Sequence, residues 1–134
     1  MSAWSFARRL ALVTTMMAAA TLISGCAAEY DHTELNNVHA PPKPLDGRVN
    51  YARINVSVGA IVTARIVSYD DDRKELATDL RTKDASVVEV TGVVSPGDYA
   101  FLGLRPGQTE VEVLADGKVV LILTAVVTEQ PTPP

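Results

Sequence analysis

The sequence predicts an all-β protein, a β-sandwich of about seven strands. Two observations carry that fold class. From Tyr51 onward, short β-branched runs alternate apolar and polar residues. Gly, Pro and Asp clusters interrupt the runs about every 8–15 residues, the punctuation of a sheet protein. A third fixes the kind of core: 134 residues contain only two Phe and four Tyr, so Val, Ile, Leu and Ala must fill it.

The first segment is of another kind. Arg8 and Arg9 precede an uncharged run from Leu10 to Ile23. Fourteen residues are too few for a transmembrane helix, which needs roughly 20, but suit the apolar region of a secretory signal. Ser24 and Gly25 follow, then Cys26, the one cysteine of the chain. A lone cysteine forms no disulfide within the chain, and a metal would want further ligands beside it. The stretch Ile23-Ser24-Gly25-Cys26 resembles the lipobox of bacterial lipoproteins. That resemblance implies cleavage between Gly25 and Cys26, a diacylglyceryl group on the Cys26 sulfur and acylation of the new amino terminus. Ala27 is not the aspartate associated with inner-membrane retention, so the resemblance favours the outer membrane, facing the periplasm. The first partner is thus the lipid bilayer, held through acylated Cys26.

Residues 1–25 then form a signal peptide, and 109 residues remain, enough for one domain. Ten basic and sixteen acidic side chains give this part a net charge of −6. An acidic chain without a basic cluster excludes nucleic acid as a partner. Residues 26–48 show neither the helical nor the strand period. Pro41, Pro42 and Pro44 favour extended polyproline geometry, so this stretch reads as a flexible tether with a mean reach of roughly 25 Å. His32 and His39 fall in it beside Asp31 and Glu34, and read as solvated linker residues, since a spacer cannot preorganise a metal site.

The sandwich is expected over residues 49–130, with 131–134 a disordered tail. "RINVSV" places Ile54, Val56 and Val58 on one face, and the next run places Val62, Ala64 and Ile66 together. Glu75–Leu80 reads as a short strand or one helical turn. Val88 and Val90 point inward in the following strand, and "DYAFLGL" is read with Ala100, Leu102 and Leu104 on one face. "QTEVEVLA" alternates cleanly, with Val111 and Val113 inside and Glu110 and Glu112 outside. Asp116-Gly117 suits a two-residue hairpin turn, whose central residues need positive φ. "KVVLILTAVV" is almost continuously apolar, as expected of a strand covered on both faces. The prolines of "EQPTPP" end the ladder.

The stretches "INVSVGAIVTARIV", "TKDASVVEVTG" and "YAFLGLRPGQTEVEVLADGKVVLILTAVV" together resemble bacterial immunoglobulin-like domains of group 2, over about residues 52–127. The resemblance implies an immunoglobulin-like sandwich without catalysis. Gly103, Leu104, Gly107, Val111 and Val113 match the family's glycine-leucine stretch, whereas the tryptophan common before the "SSD"-like stretch is absent, with Leu80 nearest its place. Pro106-Gly107-Gln108-Thr109 and the hairpin after it also look like the amino-terminal domain of pilus secretins. That second likeness implies an accessory lipoprotein of a pilus or secretion apparatus.

The residues offer little chemistry. No histidine lies beyond residue 39, so a nucleophile in the sandwich region would lack its usual base. Asp70, Asp71 and Asp72 could suggest Ca²⁺, but consecutive aspartates diverge in an extended chain and no glycine shapes a ligand loop. They read as a solvated connection. The Gly103–Gly107 turn lacks the Gly-Lys-Ser/Thr ending of a phosphate loop. The sequence therefore points to no catalytic residue, no metal and no cofactor. It points to a structural or protein-binding module for an unidentified envelope protein. Arg105 is its most available contact, a long cationic donor on a rigid Pro-Gly turn of an acidic domain.

Overall fold

The computed structural model describes residues 29–132. Nine strands form two sheets: β1 (Tyr30–His39), β2 (Gly47–Val49), β3 (Arg53–Ser57), β4 (Ile61–Asp70), β5 (Thr78–Thr82), β6 (Val88–Gly92), β7 (Asp98–Gly103), β8 (Gly107–Ala115) and β9 (Lys118–Thr128). The first sheet has the order β1-β4-β7-β6 and the second β2-β3-β9-β8-β5. All pairings are antiparallel except β3 with β9. The β-sandwich expected from the sequence is present, with two strands more than the seven predicted.

Both additional strands come from the presumed tether. Residues 30–39 do not form a spacer: they pair with β4, Tyr30 opposite Asp70 and Leu35 opposite Ile66. Residues 47–49 pair with β3. The strand signal of β1 is weak because β1 is an edge. Only Thr33 and Leu35 turn inward, and Thr33 spends its hydroxyl on Ser68, 2.9 Å away and buried. The prolines lie only in the connection from β1 to β2, where the chain passes from one sheet to the other. There Pro41 lies so close over Gly47 that an added Cβ would collide with its Cδ. The sandwich thus begins at residue 30, not 49. At the other end, Gln130 donates from its side chain to the Val58 carbonyl (2.9 Å), holding the chain to the sandwich beyond β9.

The core is the predicted aliphatic one, built from Ile54, Val56, Val62, Ala64, Ile66, Val88, Val111, Val113, Leu123 and Ala125, with Phe101 the largest fully buried side chain. Two face assignments change. In β7, Tyr99, Phe101 and Gly103 point inward, while Ala100 and Leu102 face outward and Leu104 is exposed. Both sets are apolar, so alternation gives no contrast between faces. The inner face takes the aromatics because they bury the greater area. It also needs Gly103, where a Cβ would come within 2.6 Å of the Ser57 carbonyl of the opposing sheet. β9 is central by hydrogen bonding, between β3 and β8, but only its inner face is buried. Ile122 on the outer face is 49% exposed.

The two sheets are joined at both ends. At one, the Gly59 amide donates to the Gly103 carbonyl (2.8 Å). At the other, the Leu76 amide donates to Ser68 and the Tyr99 hydroxyl to the Thr78 carbonyl, each at 2.8 Å. Asp116 and Gly117 take φ values of 49° and 79°, the positive pair expected of the β8–β9 hairpin.

A chain starting at residue 50 lacks β1 and β2 and leaves the β4 and β3 edges open. It should not unfold cooperatively, whereas one starting at residue 29 should. Urea unfolding followed by circular dichroism distinguishes them, and a cooperative transition in the shorter chain would reject the structural role of β1.

Candidate functional site

Arg105 lies in the turn from β7 to β8, held by Pro106 and Gly107. Its guanidinium is 62% exposed, but it is engaged: Nη2 donates to the Ser86 hydroxyl (3.1 Å) and lies 3.6 Å from the Asp84 carboxylate. Ser86 donates to Asp84 through both its amide and its hydroxyl. These two bonds, with Arg105 alongside, hold the Asp84 carboxyl below its ordinary range. Arg105 therefore clips two turns together, with the rest of its surface facing solvent.

The carboxylates of β8 are likewise occupied. Arg81 donates to Glu112 at 2.8 Å and Lys83 to Glu110 at 2.7 Å across the β5–β8 edge. The Glu110 carboxylate raises the Lys83 pKa. Glu110 and Glu112 do lie on the outer face, as the alternation predicts, though the Glu112 side chain is only 13% exposed.

Asp70 is not a solvated loop residue. It is buried, at 4% exposure, and its Oδ1 accepts the amides of Asp72 (2.9 Å) and Lys74 (2.8 Å). Its backbone amide bonds to the Lys74 carbonyl, closing a tight turn in which Arg73 has a φ of 61°. The three carboxylates of Asp70–Asp72 can bring one oxygen each within 4.8 Å. One of the three is already committed to the backbone, and the exposed Asp71 and Asp72 fall well short of the six to eight oxygens of a calcium site.

The pairing of β1 creates a group that the sequence reading missed. His32 stacks on Tyr69, with ring centroids 5.2 Å apart and planes 18° from parallel. Its Nδ1 lies 2.7 Å from Asp31 and its Nε2 3.5 Å from Glu34. The hydrogen bond to Asp31 is the main cause of a raised His32 pKa. The cluster is exposed, and its only signal in the sequence is the partnership of His32 with Tyr69 in the ladder, invisible unless β1 is known to be a strand. Toward the other end of the β1–β4 ladder, a shallow hollow of ≈ 220 Å³ is lined by Asn37, His39, Thr63, Ala64, Val93 and Asp98. That is below the roughly 300 Å³ at which small-molecule pockets begin. Cys26 and Gly25 lie outside the described residues.

No protein-family model matches this chain, and no curated protein matches it. Solved structures do. Domains 4 and 5 of the S-layer protein SbsC match at 14% identity and a TM-score of 0.49, over 72% of this chain and 54% of that one. Domains 4–9 of surface layer protein SbsC match at 13% identity and a TM-score of 0.50, over 75% of this chain and 15% of that one. This chain therefore spans about half of the first structure and a small fraction of the second. At such identity the second likeness is one of fold, and it agrees with the two-sheet sandwich.

These contacts set measurable outcomes. Asp70→Ala leaves the Asp72 and Lys74 amides without their charged acceptor and should cost about 1–3 kcal/mol in chemical denaturation. Ca²⁺ should leave the wild-type melting temperature unchanged, and a rise lost in Asp71→Asn would establish a cation site. By nuclear magnetic resonance, the His32 imidazole should titrate above its ordinary value of 6.5. Asp31→Asn should lower that midpoint. Because the native pKa is the higher one, the contribution to stability is complete below 6.5 and fades as pH rises through the native midpoint.

Proposed function

We propose that this chain is a lipoprotein of the cell envelope, anchored through acylated Cys26 and presenting a non-catalytic immunoglobulin-like sandwich as a structural or protein-binding module. The observation that carries this reading is the lipobox-like Ile23-Ser24-Gly25-Cys26 at the end of a complete signal, with the chain's one cysteine at the acylation position. Two or three acyl chains supply firm anchoring where one is marginal, at about 0.8 kcal/mol per buried CH₂. Ala27 favours the outer membrane, with the domain in the periplasm.

Support for a module without catalysis comes from how the polar groups are used. The candidate acids of β8 are neutralised by Arg81 and Lys83, Asp70 closes a turn, and Asp84 is bound by Ser86 and Arg105. The fold shared with domains of a surface layer protein accords with a structural role. Arg105, half-committed to its own turn, remains the cationic group that a protein partner would meet.

Metabolic labelling with a palmitate analogue tests the anchor. Wild-type protein should take up label and Cys26→Ser should not, accumulating instead as the uncleaved precursor. Equal labelling of the two would refute the lipoprotein reading.

A further inference from the structure

The strand β1 changes where an anchored domain would sit. A tether of residues 26–48 would let the sandwich wander some 25 Å from the bilayer. Instead only residues 27–29 separate Cys26 from the first residue of β1. Four Cα steps span at most about 14 Å even when fully extended. The domain is therefore confined to the membrane surface, and the position of Tyr30 decides which end faces it.

Tyr30 lies opposite Asp70, so β1 begins at the end of the sandwich where β4 finishes. The turn Asp70–Lys74 is at that end. The β8–β9 hairpin turn is there too, since the Asp116 amide donates to the Ala77 carbonyl (2.8 Å) and Asp116 Oδ1 accepts the Ala77 amide (3.1 Å). The Gly59 and Arg105 turns and the exit of β9 lie at the opposite end, about 33 Å away along the eleven residues of β9.

The first end carries charges of both signs, with the exposed Asp71, Asp72 and Asp116 beside three cations. Arg73, Lys74 and Lys118 are all exposed, and none takes part in an ion pair among the described residues. Elsewhere Arg48, Arg65, Arg81, Lys83 and Arg105 each have a carboxylate partner, whereas Lys43 and Arg53 have none among the described residues. Cations near a bilayer surface gain from its phosphates at short range.

We infer that the end carrying Asp70–Lys74 and Asp116–Lys118 lies against the phospholipid headgroups, with Arg73, Lys74 and Lys118 directed at lipid phosphates, and that the Gly59 and Arg105 turns face away from the membrane. This rests on the acylation of Cys26. It makes the Arg105 end the one accessible to a protein in the periplasm.

The test uses the full-length acylated protein in vesicles of phosphatidylethanolamine and phosphatidylglycerol that contain a headgroup-spin-labelled lipid. With the Cys26 sulfur acylated, a single added cysteine takes a fluorophore. Label at Asp71→Cys should be quenched several-fold more than label at Glu129→Cys. Changing Arg73, Lys74 and Lys118 together to Gln should reduce the quenching at position 71. Equal quenching at the two positions, or more at 129, overturns the orientation while the vesicles still float the protein. Undiminished quenching in the triple variant overturns the phosphate contacts. Wild-type protein that carries no lipid and does not float with the vesicles defeats the lipoprotein reading itself, and this inference with it.

Discussion

The ladder between β1 and β4 is the interaction on which the rest of the structure depends. It adds a fourth strand to the first sheet, and it sets the chain's first ordered residues beside the last residues of β4. The bond from Thr33 to Ser68 helps fix its register, because two hydroxyls buried at 9% and 0% exposure satisfy one another only in that alignment. The Tyr51 hydroxyl accepts the Leu35 amide at 3.2 Å, which occupies one donor of an otherwise open edge.

Behind that edge, the sandwich holds together without a disulfide and with few aromatics. Its central layer is Val, Ile, Leu and Ala from both sheets, closed around Phe101. Small side chains demand close approach of the sheets, and Gly103 provides it where β7 meets the Ser57 carbonyl. The polar groups that enter this interior are paired: Ser57 accepts the Asp46 amide at 2.8 Å, and Asp70 and Ser68 are satisfied within their turn and ladder. A fully satisfied interior of this kind is a matter of stability rather than chemistry.

The two ends of the molecule consequently differ in kind. One gathers the start of β1, the Asp70 turn and unpaired cations. The other gathers glycine-rich turns, the paired Arg105 and the end of β9. A domain that enters at one end and leaves at the other is polar along its long axis, so the proposed anchor at Cys26 would orient the whole of it.

The sequence by itself determined the all-β class, six of the seven strands from Arg53 onward and the aliphatic core, and left Glu75–Leu80 open between a strand and a helical turn. Period-2 alternation is a local property, strongest where one face is buried and the other wet, as in Val111 and Val113 against Glu110 and Glu112. The signal-like first segment and the lipobox-like stretch ending at Cys26 are likewise read from linear spacing alone. Only the tertiary structure decided that residues 30–39 are a strand, because an edge strand with two inward residues carries almost no periodicity of its own. The same limit hid the inward face of β7, where both faces are apolar, and the open outer face of β9, whose apolar run says nothing about what covers it. The stack of His32 on Tyr69 and the turn closed by Asp70 join residues through space or through backbone geometry. Linear spacing does not record either.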